Sequence, residues 1–481
     1  MRDRPIPVVP ALRWDDETGY GLRSPGVARR LADGVLGFIL FGGPAAAVRA
    51  ATAELRERAG RPLLFGADLE RGAGQQFDGA TPLPPLAALA SLDDESVLEA
   101  AGALTAREAV ALGVSWIFAP VADLALEPRN PIVGTRSPGA DPDRVAKAVA
   151  AWIRGCRAGG GIPCVKHFPG HGRTTEDSHR ALPVVRTGAD TLRATDLVPF
   201  RAALAAGVPS VMTAHVAYPG LDPEGRAATR SRRIVHGLLR EEMGFEGVVV
   251  TDALIMEGAG SPEDAMAEAL TAGVDVLLYP PEALDAGTAL AVAAEALDPS
   301  EAAGSAARVR RLVSSGCEGP SEEAVGTPED RARAMGWAER ALRISGGGPI
   351  HGPVTLTVVD DDRGGPFPAP SRAPFTDALR AAGVRVHGAG DEGEENDGGT
   401  AILCLYAEPR GWKGRAGLSE EARVGVARWA ERHGPSGTVV VFGGPGLLDE
   451  VPPGLPTILA WGGEALMQEA AARHLARRAG T

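Results

Sequence analysis

The sequence predicts an α/β protein: a (β/α)₈ TIM barrel followed by a smaller C-terminal α/β sandwich domain. Short apolar runs recur between Ala- and Leu-rich helical stretches through the first 315 residues. These runs are continuous rather than alternating, as in parallel strands buried on both faces. Beyond residue 312 the pattern breaks, and a second α/β set follows.

The eight barrel strands are expected at residues 6–12, 35–41, 62–68, 114–121, 162–168, 210–216, 247–252 and 274–279. Apolar-periodic stretches long enough for crossover helices separate most of them, such as 142–157 and 195–206. Eight such units in about 280 residues suit a closed barrel, although strand number alone leaves an open doubly wound sheet as the alternative. Residues 314–326, rich in Gly, Ser and Glu, read as a linker. A helix is expected over 328–344, ahead of Gly346-Gly347-Gly348-Pro349. Second-domain strands are expected at 354–359, 401–406, 438–442 and 457–461, and the acidic, Gly-rich tract 388–399 as a solvated loop. The expected division is therefore 1–315 catalytic barrel, 316–348 linker and helix, and 349–481 C-terminal domain. The second domain's expected role is to shield the barrel or to lend its pocket a loop.

Composition narrows the function. With 49 Lys and Arg against 62 Asp and Glu, the formal charge is −13. That balance speaks against a nucleic-acid backbone or an anionic membrane as the partner, and favours a small molecule. Cys156, Cys164, Cys317 and Cys404 are scattered without a CxxC pair, and read as reduced thiols rather than a disulfide framework or zinc site. The N-terminus lacks the apolar core of a signal peptide, and no apolar run reaches about 18 residues. A cytoplasmic location is expected; the oligomeric state is left open.

In a barrel, loops after the C-terminal strand ends build the active site, and here the strand ends are polar. The third ends in Asp68-Leu69-Glu70. The fourth leads to Asp123 and then to 130–137. The fifth ends in Lys166-His167-Phe168-Pro169-Gly170-His171-Gly172, followed by Asp177-Ser178-His179, the sixth in His215, and the seventh in Thr251-Asp252. His167-x₃-His171 has a metal-like spacing, but Phe-Pro-Gly between them forbids the helix face that spacing needs. No metal is expected there. Asp177 and His179 flank one small residue, so an extended loop turns both side chains the same way. A carboxylate bonded to an imidazole fixes its tautomer and raises its basicity, which suits it to moving a proton to a leaving group and from water. Lys166 and His167 are placed to hold substrate hydroxyls. Asp252 ends the β-branched run Val248-Val249-Val250-Thr251. An acid there either caps the next helix or attacks a sugar's anomeric carbon.

The run Lys166-His167-Phe168-Pro169-Gly170-His171-Gly172-x₄-Asp177-Ser178-His179 resembles the signature of family 3 glycoside hydrolases of the β-N-acetylglucosaminidase type. Phe118-Ala119-Pro120-Val121-Ala122-Asp123, the turn 134–137, Met212-Thr213-Ala214-His215-Val216 and 247–254 match in family order over residues 6–280, and the second region resembles the C-terminal domain of some members. The resemblance implies a TIM barrel, no cofactor, and retaining, exo-acting hydrolysis of terminal β-linked N-acetylglucosamine from peptidoglycan or chitin fragments, through a covalent glycosyl-aspartate. It implies that Asp252 is the nucleophile, that His179 in dyad with Asp177 is the acid/base, and that Asp68, Arg136, Lys166, His167 and His215 bind the sugar. One stretch departs. The family's Asp-x-Glu-Gly-Gly-x-Val-x-Arg reads Asp68-Leu69-Glu70-Arg71-Gly72-Ala73-Gly74-Gln75-Gln76, so Arg71 replaces a glycine and Gln76 the sugar-gripping arginine. Losing that charge-assisted bond costs about 1.5–3 kcal/mol of binding unless Arg71 replaces it.

Three other readings stand beside this one. A β-glucosidase or xylosidase of the same family is disfavoured by the Asp-Ser-His loop. A phosphorylase is chemically reasonable, since a neutral histidine repels incoming phosphate less than a carboxylate does. The third is a non-catalytic sugar-binding barrel.

Overall fold

The computed structural model describes residues 7–178, 180–279, 298–315, 325–364, 370–387 and 399–479. His179, Cys317, and most of the expected linker 314–326 and acidic tract 388–399 lie outside the described residues.

The described chain divides into two compact units. The first comprises Met1–Pro82, Asp94–Leu126 and Ser137–Arg331. Its strands are β1 (Val8–Val9), β2 (Ala11–Arg13), β3 (Gly37–Phe41), β4 (Leu64–Ala67), β5 (Trp116–Ile117), β6 (Ile162–Phe168), β7 (Ser210–Thr213), β8 (Val248–Thr251) and β9 (Leu277–Leu278). β2 to β8 pair in sequence order, all parallel. β1 and β2 are halves of one stave, broken at Pro10, which has no N–H to give the ladder; its carbonyl still accepts from Ile39 at 3.0 Å. β9 closes the sheet: it pairs with β1 through Val8↔Leu277, and the Val250↔Val276 bridge ties it to β8. The result is eight parallel staves, as expected.

Every stave lies inside its expected range or runs one residue past it, and several are shorter. The fourth, expected over 114–121, keeps its ladder only at Trp116–Ile117. The tertiary amide of Pro120 interrupts it, and pairing resumes at Val121↔Lys166. Inward side chains fill the barrel: Val9, Ile39, Leu64, Trp116, Phe118, Cys164, Met212, Val250 and Leu278 share one buried cluster. Within it the Trp116 indole donates to Ser210 Oγ at 2.9 Å, so its one polar atom is satisfied. Outside, helices Glu95–Ala111 and Pro142–Ala158 pack backbone to backbone. A Cβ at Gly155 would lie 1.9 Å from the Glu99 carbonyl, and one at Gly102 would lie 2.2 Å from that of Trp152, so only glycine fits.

The second unit comprises Leu83–Asp93, Glu127–Arg136 and Ala332–Thr481. Its sheet has β10 (Arg343–Ser345), β11 (Val354–Asp360), β12 (Val386–His387), β13 (Thr400–Ala407), β14 (Thr438–Gly443) and β15 (Thr457–Leu459), in the order β10-β15-β14-β13-β11-β12. All neighbours are parallel except β10 and β15. Tyr406 and Phe442 stack at 4.5 Å on adjacent strands, and Phe375 meets Phe442 edge-on at 5.6 Å. The helix expected over 328–344 ends at Ala341, and Arg343–Ser345 pairs antiparallel with β15 instead. Gly346 and Gly347, both at positive φ, break helical propagation just beyond, and edge pairing satisfies the freed backbone. β12 is two residues long, too short to leave a periodic signal.

Cys156, Cys164 and Cys404 are free and buried, and burial pushes the Cys164 thiol up to about 12. These are inert core residues. Among the described residues no helix is long and apolar enough to cross a membrane.

Candidate active site

The site is assembled where the barrel strands end. Lys166, at the end of β6, is 2% exposed, and its ammonium sits 2.6 Å from Asp68 Oδ1 and 2.7 Å from Glu70 Oε1. A lysine so buried keeps its charge only when paired, and the two acids beyond β4 supply that pairing.

Next to it, His167 is oriented by Asp123, a carboxylate with no exposure at all. Asp123 Oδ2 lies 2.7 Å from His167 Nδ1, and Oδ1 accepts the backbone N–H groups of His167 at 3.2 Å and His171 at 2.6 Å. Burial disfavours the charged form of Asp123, but the two histidines and these bonds outweigh it and lower its pKa. Because the carboxylate takes the Nδ1 hydrogen, Nε2 is the atom left to face Asp252, whose Oδ2 is 4.0 Å away.

Asp252 projects just beyond β8, and its side chain is 19% exposed. Oδ1 accepts from the Ala253 N–H at 2.7 Å. No helix begins there: the next helical turn is Glu257–Ala259, with Met256 at its N-cap, and the next α-helix starts at Pro262, with Ser261 at its N-cap, so the capping alternative fails. Burial works against ionisation, yet His167, His215, the Ala253 N–H and Lys166 together hold the carboxyl below its ordinary range. The result is a reachable, ionised carboxylate.

His215 stands behind Asp252, fully buried. Its Nε2 lies 3.2 Å from the Ala253 carbonyl and its Nδ1 2.9 Å from Thr229 Oγ1. A carbonyl can only accept, so Nε2 carries the hydrogen. Burial lowers the pKa, and the one hydrogen of the Thr229 hydroxyl is shared between His215 Nδ1 and the Ala214 carbonyl, 3.0 Å away. The residue braces the turn that carries Asp252.

The loop after β6 is latched at both ends. His171 Nδ1 meets Thr174 Oγ1 at 2.8 Å and Nε2 meets Ser178 Oγ at 3.0 Å. The Thr174 hydroxyl donates to the His171 carbonyl at 3.0 Å, so Nδ1–H donates to Thr174 and Nε2 accepts from Ser178. Burial lowers His171 to about 4 and keeps it neutral. Asp177 is buried, and its carbonyl accepts from Arg180 and Ala181. The Ser178 carbonyl accepts the Gly258 N–H at 2.9 Å, and a Cβ at Gly258 would lie 2.7 Å from that oxygen.

Five of the eight sequence-predicted site residues therefore gather at strand ends of one barrel: Asp68, Lys166, His167, His215 and Asp252. Asp177 lies in the latched loop, and His179 is outside the described residues. Arg136 ends the turn Gly134–Arg136, its Nη1 3.4 Å from the Ile132 carbonyl, and groups with the second unit. In the divergent stretch, Gln76 Oε1 accepts the Gly42 N–H at 3.2 Å, and the Arg71 N–H donates to Gln75 Oε1 at 2.7 Å. Sequence reasoning did not assign Asp123, Glu70, His171 or Thr229 to the site. Asp123 had a signal, an acid straight after a buried strand; its partners are 44 and 48 residues away and gave none. Among the described residues no group of three or more His, Cys, Asp or Glu is arranged to hold a metal ion.

An ionised carboxylate, an oriented imidazole and paired polar groups at the mouth of a (β/α)₈ barrel are the equipment of a glycoside hydrolase. Residues 42–314 match the glycosyl hydrolase family 3 N-terminal domain, and the chain belongs to that family. It is 41% identical over 259 residues to a β-hexosaminidase of Xylella fastidiosa (strain M23), covering 51% of this chain and 76% of the relative. A glycoside hydrolase family 3 β-N-acetylglucosaminidase from Paenibacillus sp. str. FPU-7 superposes with a TM-score of 0.83 at 26% identity, covering 98% of this chain and 95% of that one. NagZ from Neisseria gonorrhoeae, solved with N-trifluoroacetyl-D-glucosamine, gives 0.58 at 28% identity, over 70% of this chain and 98% of that one.

Proposed function

We propose that this protein is a retaining, exo-acting β-N-acetylglucosaminidase that removes terminal β-linked N-acetylglucosamine from peptidoglycan or chitin fragments in the cytoplasm. The observation that carries the reading is Asp252: a solvent-reachable carboxylate, held ionised, with an oriented imidazole nitrogen 4.0 Å away. The names of the β-hexosaminidase and β-N-acetylglucosaminidase relatives support the choice of sugar.

The reaction takes two displacements. Asp252 attacks the anomeric carbon as the glycosidic C–O bond breaks, while His179, backed by Asp177, gives the departing oxygen a proton. The imidazole then takes a proton from water, whose oxygen displaces Asp252 from the same carbon. Two inversions return the original anomer. Asp68, Lys166, His167 and Arg136 are the proposed sugar-binding groups, with His215 bracing Asp252 from behind.

The test is a panel of aryl β-glycosides (N-acetylglucosaminide, glucoside and xyloside), with the first-formed anomer read by NMR and phosphate present or absent. Preference for the N-acetylglucosaminide, with β-N-acetylglucosamine appearing first, is expected. An α product, preferred cleavage of the glucoside, or sugar 1-phosphate as the main product would each overturn the reading.

A further inference from the structure

One cation at the barrel mouth has no assigned task. Arg13 ends β2, and the β2–β3 register pairs Ala11 with Ile39 and Arg13 with Phe41. Alternation along a strand puts Arg13 on the same face as Ala11, which packs against the barrel-interior cluster together with Phe41 and Tyr279. Arg13 and Phe41 therefore point into the mouth, two staves round from Asp252 on one side and towards Asp68 on the other.

The guanidinium is held in place but not neutralised. Its carbon lies 4.2 Å above the Phe41 ring and 5.5 Å from that of Tyr279. Its Nε and Nη2 are each 3.4 Å from the Tyr279 hydroxyl, and Arg13 makes no ion pair among the described residues. Its side chain is exposed. Lys166, in contrast, has its charge balanced by two acids. An arginine stacked on aromatic rings, with its fork open to solvent, is pre-organised to take a carboxylate or phosphate through two N–H groups.

From this geometry we propose that Arg13, with Phe41 and Tyr279, forms an oxyanion-binding subsite on the wall made by β9, β2 and β3. It is a specificity-determining site for the reaction proposed above and rests on that reading. The proposed sugar-binding groups of the barrel stand at the ends of β4 and β6, so what reaches this wall is the leaving group beyond the anomeric carbon, or an acceptor replacing it. The two sources of an oxyanion are a carboxylate on the leaving sugar and free inorganic phosphate. If phosphate is the acceptor, its oxygen bonds to the anomeric carbon as the ester bond to Asp252 breaks, giving sugar 1-phosphate and the free carboxylate.

The experiment compares two aryl N-acetyl-β-glucosaminides of matched leaving-group acidity, one with a ring carboxylate and one with the carboxamide. Each is assayed with and without inorganic phosphate, on the full-length protein and on Arg13→Gln and Arg13→Lys. Wild type is expected to favour the carboxylate, or to respond to phosphate. The kcat/KM ratio or phosphate response should fall about ten-fold in Arg13→Gln, be partly kept in Arg13→Lys, and shrink with added salt. An Arg13-dependent carboxylate preference identifies a leaving-group site, and an Arg13-dependent phosphate response an acceptor site. Ratios independent of Arg13 in both arms overturn the inference. Ratios are compared within one protein, so a partly folded variant does not mimic the effect. If neither substrate is cleaved by wild type, the proposed activity fails first.

Discussion

Both units set acids at the C-terminal ends of parallel strands, and they treat them in opposite ways. At the end of β11, Asp360, Asp361 and Asp362 are each claimed by cations: Arg372 forks onto Asp360 at 2.9 and 3.0 Å, Arg415 onto Asp361, and Lys413 sits 2.6 Å from Asp362. Asp362 also accepts the Glu408 N–H. Beyond β8, Asp252 accepts one bond, from the residue next to it, and no cation approaches within bonding distance among the described residues. A buried acid with every lone pair engaged is structure; one that is ionised, reachable and under-bonded is held for a ligand.

That contrast orders the expected outcomes. Asp252→Asn keeps the shape and removes the charge, and is expected to lower kcat/KM by about 10⁴-fold or more with a normal circular dichroism spectrum. A loss under ten-fold would erase the distinction between the two strand ends. Asp362→Ala removes the nearest acid of Lys413, leaving it the Glu408 carbonyl at 2.9 Å and Asp361 at 3.9 Å, and should destabilise the protein by about 3 kcal/mol in urea titrations. A change below about 1 kcal/mol would mean its ion network is ornamental. The smallest effect expected is in the latch. His171 has its folded pKa depressed to about 4, so the stability it contributes is complete above the unfolded value near 6.5 and is lost as pH falls from there towards 4. Protonation removes the acceptor that Ser178 needs. Wild type should lose up to about 3 kcal/mol more across that window than His171→Gln; parallel pH profiles would refute the neutral latch.

The barrel was legible because its staves are short apolar runs rich in β-branched and aromatic residues and bounded by polar strand ends, as in Val248–Thr251 before Asp252. The second sheet was legible at β11, β13, β14 and β15 for the same reason. β10 and β12 were not, since three and two residues are too few to show a period, and Arg343–Ser345 takes its conformation from pairing with β15 rather than from its own preference. At the site, residue types identified Asp252, Lys166 and His167, but not what each one leans on. Asp123 under His167, Glu70 beside Lys166 and Tyr279 against Arg13 are set by contacts 44, 96 and 266 positions apart along the chain. Sequence supplies such pairs only once the barrel has brought its strand ends together.

The most direct test is to trap the glycosyl group on the protein with a fluorinated, slowly released N-acetylglucosaminyl fluoride, then digest and map the adduct by mass spectrometry. One sugar per chain, esterified to the Asp252 side chain and absent from Asp252→Asn, is the predicted result. Turnover with no adduct, or an adduct on any other residue, would contradict it.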